Sequence, residues 1–204
     1  MIFGKKQPIS KLEDVLPSCW KLLHQGVGNF RHPFYRPVLT TMDGNKPEVR
    51  TVILRGFSET DRTLICHCDV RTPKVSQIRD NPRVSWLFYH PEKWIQLRFS
   101  GTAWVHTDDE TAGSQWKKVR QTSRINYCAE IPPGLPAEKP TSGLPDFLRD
   151  TTSKLFDNTK ARKNFAVIVC RFDEMDWLWL KLTGHCRAKF HWEDHRINAS
   201  WVIP

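Results

Sequence analysis

The chain has 204 residues and a formal net charge of +9 at pH 7, with 39% hydrophobic and 26% charged residues. This balance is typical of one globular domain, and no apolar run approaches the roughly 20 residues that span a bilayer. The first ten residues, MIFGKKQPIS, lack the apolar core of a secretory signal, so the cytoplasm is the expected location.

The charge excess would also fit a basic nucleic-acid-binding module. The basic residues form no tract, however, and acidic residues such as Glu48, Asp61 and Asp80 lie among them. A site for an anionic small molecule explains the same balance, because net charge informs about steering of ligands more than about fold. Nucleic-acid binding is therefore the less favoured alternative, and we expect neither a nucleic-acid nor a membrane partner.

The six cysteines contain no Cys-x-x-Cys pair, and their spacing matches no zinc ribbon or finger. They are Cys19, Cys66, Cys68, Cys128, Cys170 and Cys186. In Cys66-His67-Cys68, strand alternation places both sulfurs on one face and the imidazole on the other. The sequence predicts buried, reduced cysteines and no metal site.

The N-terminal part predicts an amphipathic helix. Ser10-Lys11-Leu12-Glu13 has the pattern of a capping box, and apolar residues from Leu12 to Leu23 recur at steps of three and four until Gly26. We assign residues 1–35 to a helical extension and residues 36–204 to a single barrel domain.

After this helix the hydrophobic period changes to two, which is typical of strands, and Asp43-Gly44-Asn45 is the clearest turn. Strands are predicted at Pro37–Met42, Val49–Phe57, Thr63–Cys68, Arg83–Tyr89, Trp94–His106, Phe165–Phe172, Trp177–Leu182, Arg187–Trp192 and Ala199–Ile203. Helices are predicted at Val75–Asp80, Asp108–Val119 and Asp146–Phe156, and the proline-rich segment 131–145 predicts an irregular loop that is functional or mobile.

About nine short strands with antiparallel-type spacing predict a mainly β (α+β) fold, an antiparallel β-barrel with peripheral helices. A doubly wound α/β sheet would need helices of ten or more residues between most of its strands. The sequence has no such helices between most strands, which excludes a Rossmann domain.

The segment from Arg50 to Gly101 is the most informative for function. In the predicted strand RTVILR, Arg50, Val52 and Leu54 share one face, and the alternate residues share the other. The next strand leads to Arg71-Thr72-Pro73-Lys74 directly before a predicted helix. Guanidinium, hydroxyl and ammonium groups at a helix start suit a phosphate, so the segment predicts a phosphorylated cofactor.

The order of these motifs resembles the pyridoxamine 5′-phosphate oxidase-like FMN-binding split barrels. The resemblance rests on the strand 50–55, on Thr72–Lys74 with the following helix and Asn81-Pro82, and on the strand from Gln96 to Gly101. It extends more loosely to the terminal Pro204. It implies a split barrel over residues 36–204 and a homodimer with FMN at the subunit interface.

The resemblance also implies a set of site residues. The cofactor contacts would be Arg50, Thr51, Val52, Ile53, Leu54, Arg55, His67, Cys68, Arg71, Thr72, Lys74, Gln96, Trp179 and Lys189. Gln96 would face the pyrimidine edge of the flavin, and Trp179 and Lys189 would come from the second subunit. Arg55 and Arg187 are the predicted contacts for substrate charge. No catalytic side chain is assigned, because the flavin carries the hydride chemistry.

Three departures from the family pattern leave the substrate open. Pro73 stands where the family usually has an arginine before the lysine, and His185 and Arg187 reverse the order of the family's Arg-x-His element. The segment 120–124, expected to contact a substrate phosphate, matches weakly. The predicted function is hydride transfer from a small anionic substrate to FMN, and the alternative is a non-catalytic FMN-binding or flavin-carrier protein.

Overall fold

The computed structural model describes residues 9–148, 158–194 and 196–204. Within them, nine strands form one antiparallel sheet in the order β2-β1-β5-β6-β7-β4-β3, and β8 joins β7 to β9. The strands are β1 Val38–Asp43, β2 Lys46–Thr51, β3 Gly56–Ser58, β4 Thr63–Asp69, β5 Arg83–His90, β6 Ile95–His106, β7 Phe165–Trp179, β8 Cys186–Glu193 and β9 Arg196–Val202. The helices are α1 Val15–Gly26, α2 Pro73–Asp80, α3 Glu110–Lys118, α4 Gln121–Arg124 and α5 Asn158–Asn164.

The β1–β2 hairpin turns at Gly44, as predicted, and this glycine has a φ of +57°. The predicted single strand Val49–Phe57 is wrong, because β2 ends at Thr51 and β3 begins at Gly56. Between them, the amides of Val52 and Leu54 donate to the carbonyls of Pro37 and Tyr35, and both side chains enter the core. This change of backbone partners ends the strand.

The two strands predicted at Phe165–Phe172 and Trp177–Leu182 are one long strand, β7. It pairs with β4 and β6 over its first part and with β6 and β8 over its second part. The register with β6 shifts between Ser100 and Gly101. A Cβ atom at Gly101 would lie 2.2 Å from the carbonyl oxygen of Arg171, so the close approach of the two strands requires glycine there.

Helix α1 packs into the same hydrophobic core as the strands, through buried Val15, Cys19, Leu22 and Leu23. The ring of Trp20 contacts the rings of Phe57, Phe99, Phe172 and Trp192. The predicted capping box does not form. A 3₁₀ turn at Leu12–Asp14 precedes α1, and the N-cap residue of this turn is Lys11, which makes no side-chain cap hydrogen bond. The domain boundary at residue 36 stays a prediction.

Helix α3 covers the outer face of the sheet near the start of β7. Ala112 packs there with Phe165 and Val167, and Ile65, Trp116 and Tyr127 border this second, smaller core. Of the predicted helix Asp146–Phe156, only a 3₁₀ turn at Asp146–Leu148 lies within the described residues. No helix in the described ranges is long and apolar enough to cross a membrane.

Candidate functional site

The junction between β4 and α2 places the predicted phosphate ligands at the start of a helix. Both the amide and the hydroxyl of Thr72 donate to the carbonyl of Asp69, at 3.1 and 2.6 Å. This turn sets Pro73 at the first position of α2, where a missing N–H costs no hydrogen bond. Lys74 therefore lies in the first turn, where the helix dipole favours an anion.

Arg50 reaches the same helix from β2. Its guanidinium donates to the hydroxyl of Thr41 and, at 3.2 Å, to Oε1 of Gln77, one turn after Lys74. The hydroxyl of Thr41 also donates to Gln77 Oε1, at 2.6 Å, and both of these polar residues are buried. Thr41 and Gln77 thus hold Arg50 beside α2.

Arg50 and Lys74 lie beside the same part of α2, because Arg50 donates to Gln77, which follows Lys74 by one helical turn. Burial and the neighbouring Cys68 raise the pKa of Cys66, and the charges of Lys74 and Arg50 oppose that rise. Among the described residues, Lys74 has no hydrogen-bond or ion-pair partner. An ammonium group in the first turn of a helix, with no ion-pair partner among the described residues and with a guanidinium one turn away, suits a phosphate ligand.

The side chains of the predicted flavin-binding segment 50–55 differ in burial. The side chains of Val52 and Leu54 are buried in the core, so only their backbone atoms are available to a ligand. Thr51 and Arg55 are exposed, and Ile53 is half-buried.

His67 and Cys68 lie on opposite faces of β4, as the alternation predicted. Cys68 is buried in the core, where burial raises its pKa to about 11. His67 faces α3, its Nε2 lies 3.2 Å from Oε1 of Gln115, and burial lowers its pKa to about 4. Arg55 lies near this part of β4, because its amide donates to the carbonyl of Ile65, two residues before His67, and its positive charge lowers the pKa of His67 further.

Gln96, Trp179 and Lys189 lie together at the other end of the sheet. Gln96 pairs with Leu178 of β7, whereas His67 pairs with Val167, eleven residues earlier on the same strand. At about 3.3 Å per residue this separation exceeds 30 Å along the strand, which is longer than an FMN molecule. His67 and Gln96 of one chain therefore do not contact the same FMN.

A groove of about 510 Å³ lies at this second end, and Arg98, Asp176 and Lys189 line it. Burial raises the pKa of Asp176, but hydrogen bonds from Arg187 and Arg98 outweigh burial, and the pKa is lowered overall. Arg187 donates through Nε and Nη2 to both carboxylate oxygens of Asp176, at 2.7–3.2 Å. The guanidinium predicted to bind substrate is thus held by a carboxylate of the same chain.

Sequence reasoning missed the polar residues that hold these side chains, namely Thr41, Gln77, Gln115 and Asp176. One usable signal was present for Gln77, which follows Lys74 by three residues and so lies on the same side of a helix. The segment 120–124 also has a structural role, because Arg124 donates to the carbonyls of Val119 and Trp116.

Comparison with known proteins shows similarity to pyridoxamine 5′-phosphate oxidases. Residues 17–107 match the family model described as pyridoxamine 5′-phosphate oxidase, FMN-binding domain. Pyridoxine/pyridoxamine 5′-phosphate oxidase 2 of Arabidopsis thaliana is 23% identical over 168 residues, covering 79% of this chain and 83% of that protein. Bacterial pyridoxine/pyridoxamine 5′-phosphate oxidases match over only 31–47% of their own length.

Two solved structures share the whole architecture. A pyridoxamine 5′-phosphate oxidase-related, FMN-binding protein from Nostoc punctiforme has a TM-score of 0.73 at 21% identity, covering 92% of this chain and 96% of that one. PhzG from Burkholderia lata, in complex with tetrahydrophenazine-1-carboxylic acid, has a TM-score of 0.70 at 15% identity, covering 100% and 98%. These matches confirm the predicted antiparallel, mainly β FMN-binding split-barrel fold.

Proposed function

We propose that the chain is an FMN-dependent oxidoreductase of the pyridoxamine 5′-phosphate oxidase FMN-binding domain family, whose model residues 17–107 match. The observation that carries the proposal is the convergence of Arg50 and Lys74 at the start of α2. Charge-assisted hydrogen bonds of this kind are the strong ones for a phosphate.

The arrangement of the chain supports phosphate binding without a large rearrangement. Arg50 is already positioned by Thr41 and Gln77, so little side-chain entropy is lost when it gains an anionic partner. Lys74 supplies the charge that has no partner among the described residues, and its backbone amide supplies a further donor, because Pro73 has no N–H and the amide of Val75 donates to Thr72. The phosphate of FMN would lie among these groups.

We further propose a homodimer in which each FMN contacts both subunits. Arg50, Lys74 and their neighbours would supply the phosphate half of the site, and Gln96, Trp179 and Lys189 of the second subunit would supply the other half. The separation of His67 from Gln96 along β7 supports the proposal, because FMN is too short to reach both of these predicted contacts within one chain.

Bound FMN would supply the hydride-accepting chemistry, so the chain needs residues for binding and orientation rather than an acid–base pair. Arg55 is exposed, and a 3.4 Å bond to the Tyr35 hydroxyl is its one side-chain hydrogen bond among the described residues. It can therefore change partner and contact a small anionic substrate. The neutral imidazole of His67 and the charge of Arg55 would border the space for that substrate.

One observation favours the alternative of a non-catalytic FMN-binding protein. Arg187, the second predicted substrate contact, is engaged with Asp176 through Nε and Nη2. A substrate at this position would have to displace a carboxylate that also binds Arg98. Turnover of small anionic amines or phosphorylated B6 vitamers by the FMN-loaded protein separates the two functions.

The test of the proposed function is an FMN titration of the purified protein and of Lys74→Ala. Loss of one charged donor to the phosphate should weaken FMN binding by about 1.5–3 kcal/mol, or roughly 10- to 100-fold in Kd. Lys117→Ala, an exposed lysine on α3, is the matched control and should bind FMN like the wild type. A wild-type protein that takes up no FMN would contradict the proposal.

A further inference from the structure

Arg71 has most of its hydrogen-bonding capacity committed within the chain. Its Nε and Nη2 donate to the two carboxylate oxygens of Asp69, at 3.0 and 2.7 Å. Nη2 also donates to the carbonyl of Ala129 at 2.9 Å, and Nη1 donates to the carbonyl of Glu130 at 3.4 Å. Four of the five guanidinium N–H groups therefore have partners, and two of these partners lie in a distant loop.

The loop that Arg71 contacts is the proline-rich segment 130–143, which closes on itself. The amide of Glu130 donates to the carbonyl of Gly143 at 3.0 Å, so the two ends of a 14-residue segment meet. Gly143 has a φ of +69° and lies against Ala129. Closed ends and the lack of regular structure define an Ω loop, a class of loop that frequently carries function.

This Ω loop lies against the first turn of α2. A Cβ atom at Gly134 would be 3.8 Å from Cδ and Cγ of Pro73, the residue before Lys74. Arg71 holds the N-terminal end of the loop at Ala129 and Glu130, and Gly134, within the loop, lies against the helix start. The loop therefore lies beside the position that we assign to the cofactor phosphate.

We propose that Arg71 is a positioning residue that clamps the Ω loop 130–143 over the start of α2, so that the loop restrains release of the cofactor. The inference rests on the proposed FMN site. It assigns Arg71 a different task from a phosphate ligand, because Asp69 and the two loop carbonyls occupy its donors. Asp69 is buried and orients the guanidinium.

Limited proteolysis tests the clamp without requiring FMN. Glu138 is exposed in the loop, so a protease that cleaves after glutamate can report on loop opening. Arg71→Ala should be cleaved there about tenfold faster than the wild type, since it loses charged hydrogen bonds to the loop. Arg71→Lys keeps the charge and should restore part of the protection. Equal cleavage of wild type and Arg71→Ala would overturn the clamp.

Cofactor release tests the consequence of the clamp. FMN and riboflavin dissociation, followed by flavin fluorescence, should both be about tenfold faster from Arg71→Ala, which leaves the preference for FMN over riboflavin unchanged. A phosphate ligand would behave differently, because its loss should weaken FMN selectively, and that result would overturn the inference. If the loop of Arg71→Ala is cleaved faster but FMN dissociates at the wild-type rate, the proposed role of the loop in cofactor release is also wrong.

The failure of the proposed function is distinguishable from the failure of this inference. If the wild type binds no FMN, the proposed function and the role in release both fall, and the cleavage rates still decide whether Arg71 clamps the loop. If Arg71→Ala does not fold, Asp69→Asn provides the second variant. It keeps the arginine but removes the carboxylate that orients it, and it should give an intermediate cleavage rate.

Discussion

His67 and Gln115 join β4 to α3 through a hydrogen bond of 3.2 Å between Nε2 and Oε1. The ring of Phe165 contacts the imidazole edge-on, with 4.9 Å between centroids. With Oε1 as acceptor, Nε2 is the donor of the neutral imidazole. Burial in this apolar environment disfavours the charged ring and lowers the pKa of His67 to about 4.

This lowered pKa predicts that the protein loses stability on acidification. Between pH 6.5 and about 4 the unfolded chain binds a proton at His67 that the folded chain does not, so the free energy of unfolding rises with pH. The change should reach about 3 kcal/mol across this window. Urea unfolding from pH 7 to pH 4 measures it. His67→Gln cannot titrate and should flatten the profile, while the partly exposed His32, whose pKa is also lowered, contributes equally to both proteins.

The two glycines Gly101 and Gly113 should respond oppositely to alanine. At Gly101 the new Cβ would collide with the backbone of β7, so we expect a loss of about 3 kcal/mol or more. At Gly113, within α3, no atom lies within 4 Å of that Cβ, and alanine should stabilise the helix by about 1 kcal/mol. Thermal unfolding of both variants decides this, and a neutral Gly101→Ala would contradict the strand contact.

The shared site predicts complementation between two defective variants. Lys74→Ala damages the phosphate half of the site, and Lys189→Ala damages the half that we assign to the second subunit. When the two are refolded together at equal amounts, random pairing should restore about one quarter of the sites to the wild-type composition. FMN binding at a concentration too low for either variant alone measures this. A mixture that binds no better than its components would place each site within a single chain.

Arg55 and Arg187, the two predicted substrate contacts, should differ in their effect on stability. Arg187→Ala removes hydrogen bonds to the largely buried carboxylate of Asp176 and should cost about 1–2 kcal/mol. Arg55→Ala removes an exposed side chain and should change the free energy of unfolding by less than about 0.5 kcal/mol. Denaturant unfolding compares them. A stable Arg187→Ala would mean that its pairing with Asp176 adds little.

The local sequence pattern was sufficient to predict those features of the structure that depend only on neighbouring residues. Alternation placed Cys66 and Cys68 in the core and His67 on the other face, and the Asp43-Gly44-Asn45 turn closes its hairpin. The helix predicted at Val75–Asp80 is present as α2 and begins two residues earlier, at Pro73. The cofactor family followed from the order of these motifs, since each depends on only a few adjacent residues.

The remaining features of the fold and of the site depend on contacts between residues that are distant in the sequence. The hydrogen bond between Thr41 and Gln77 spans 36 positions, and the clamp from Arg71 to Ala129 spans 58. The end of β2 at Thr51 depends on which carbonyls accept from the following amides, and no local period encodes those partners. The sequence by itself determined most of the strands and the resemblance to the family, because these depend on periodicity and on side-chain type. Only the tertiary structure separated Gln96 from His67 along β7 and placed Arg71 against the carbonyls of Ala129 and Glu130, because strand register and loop closure are properties of the whole chain.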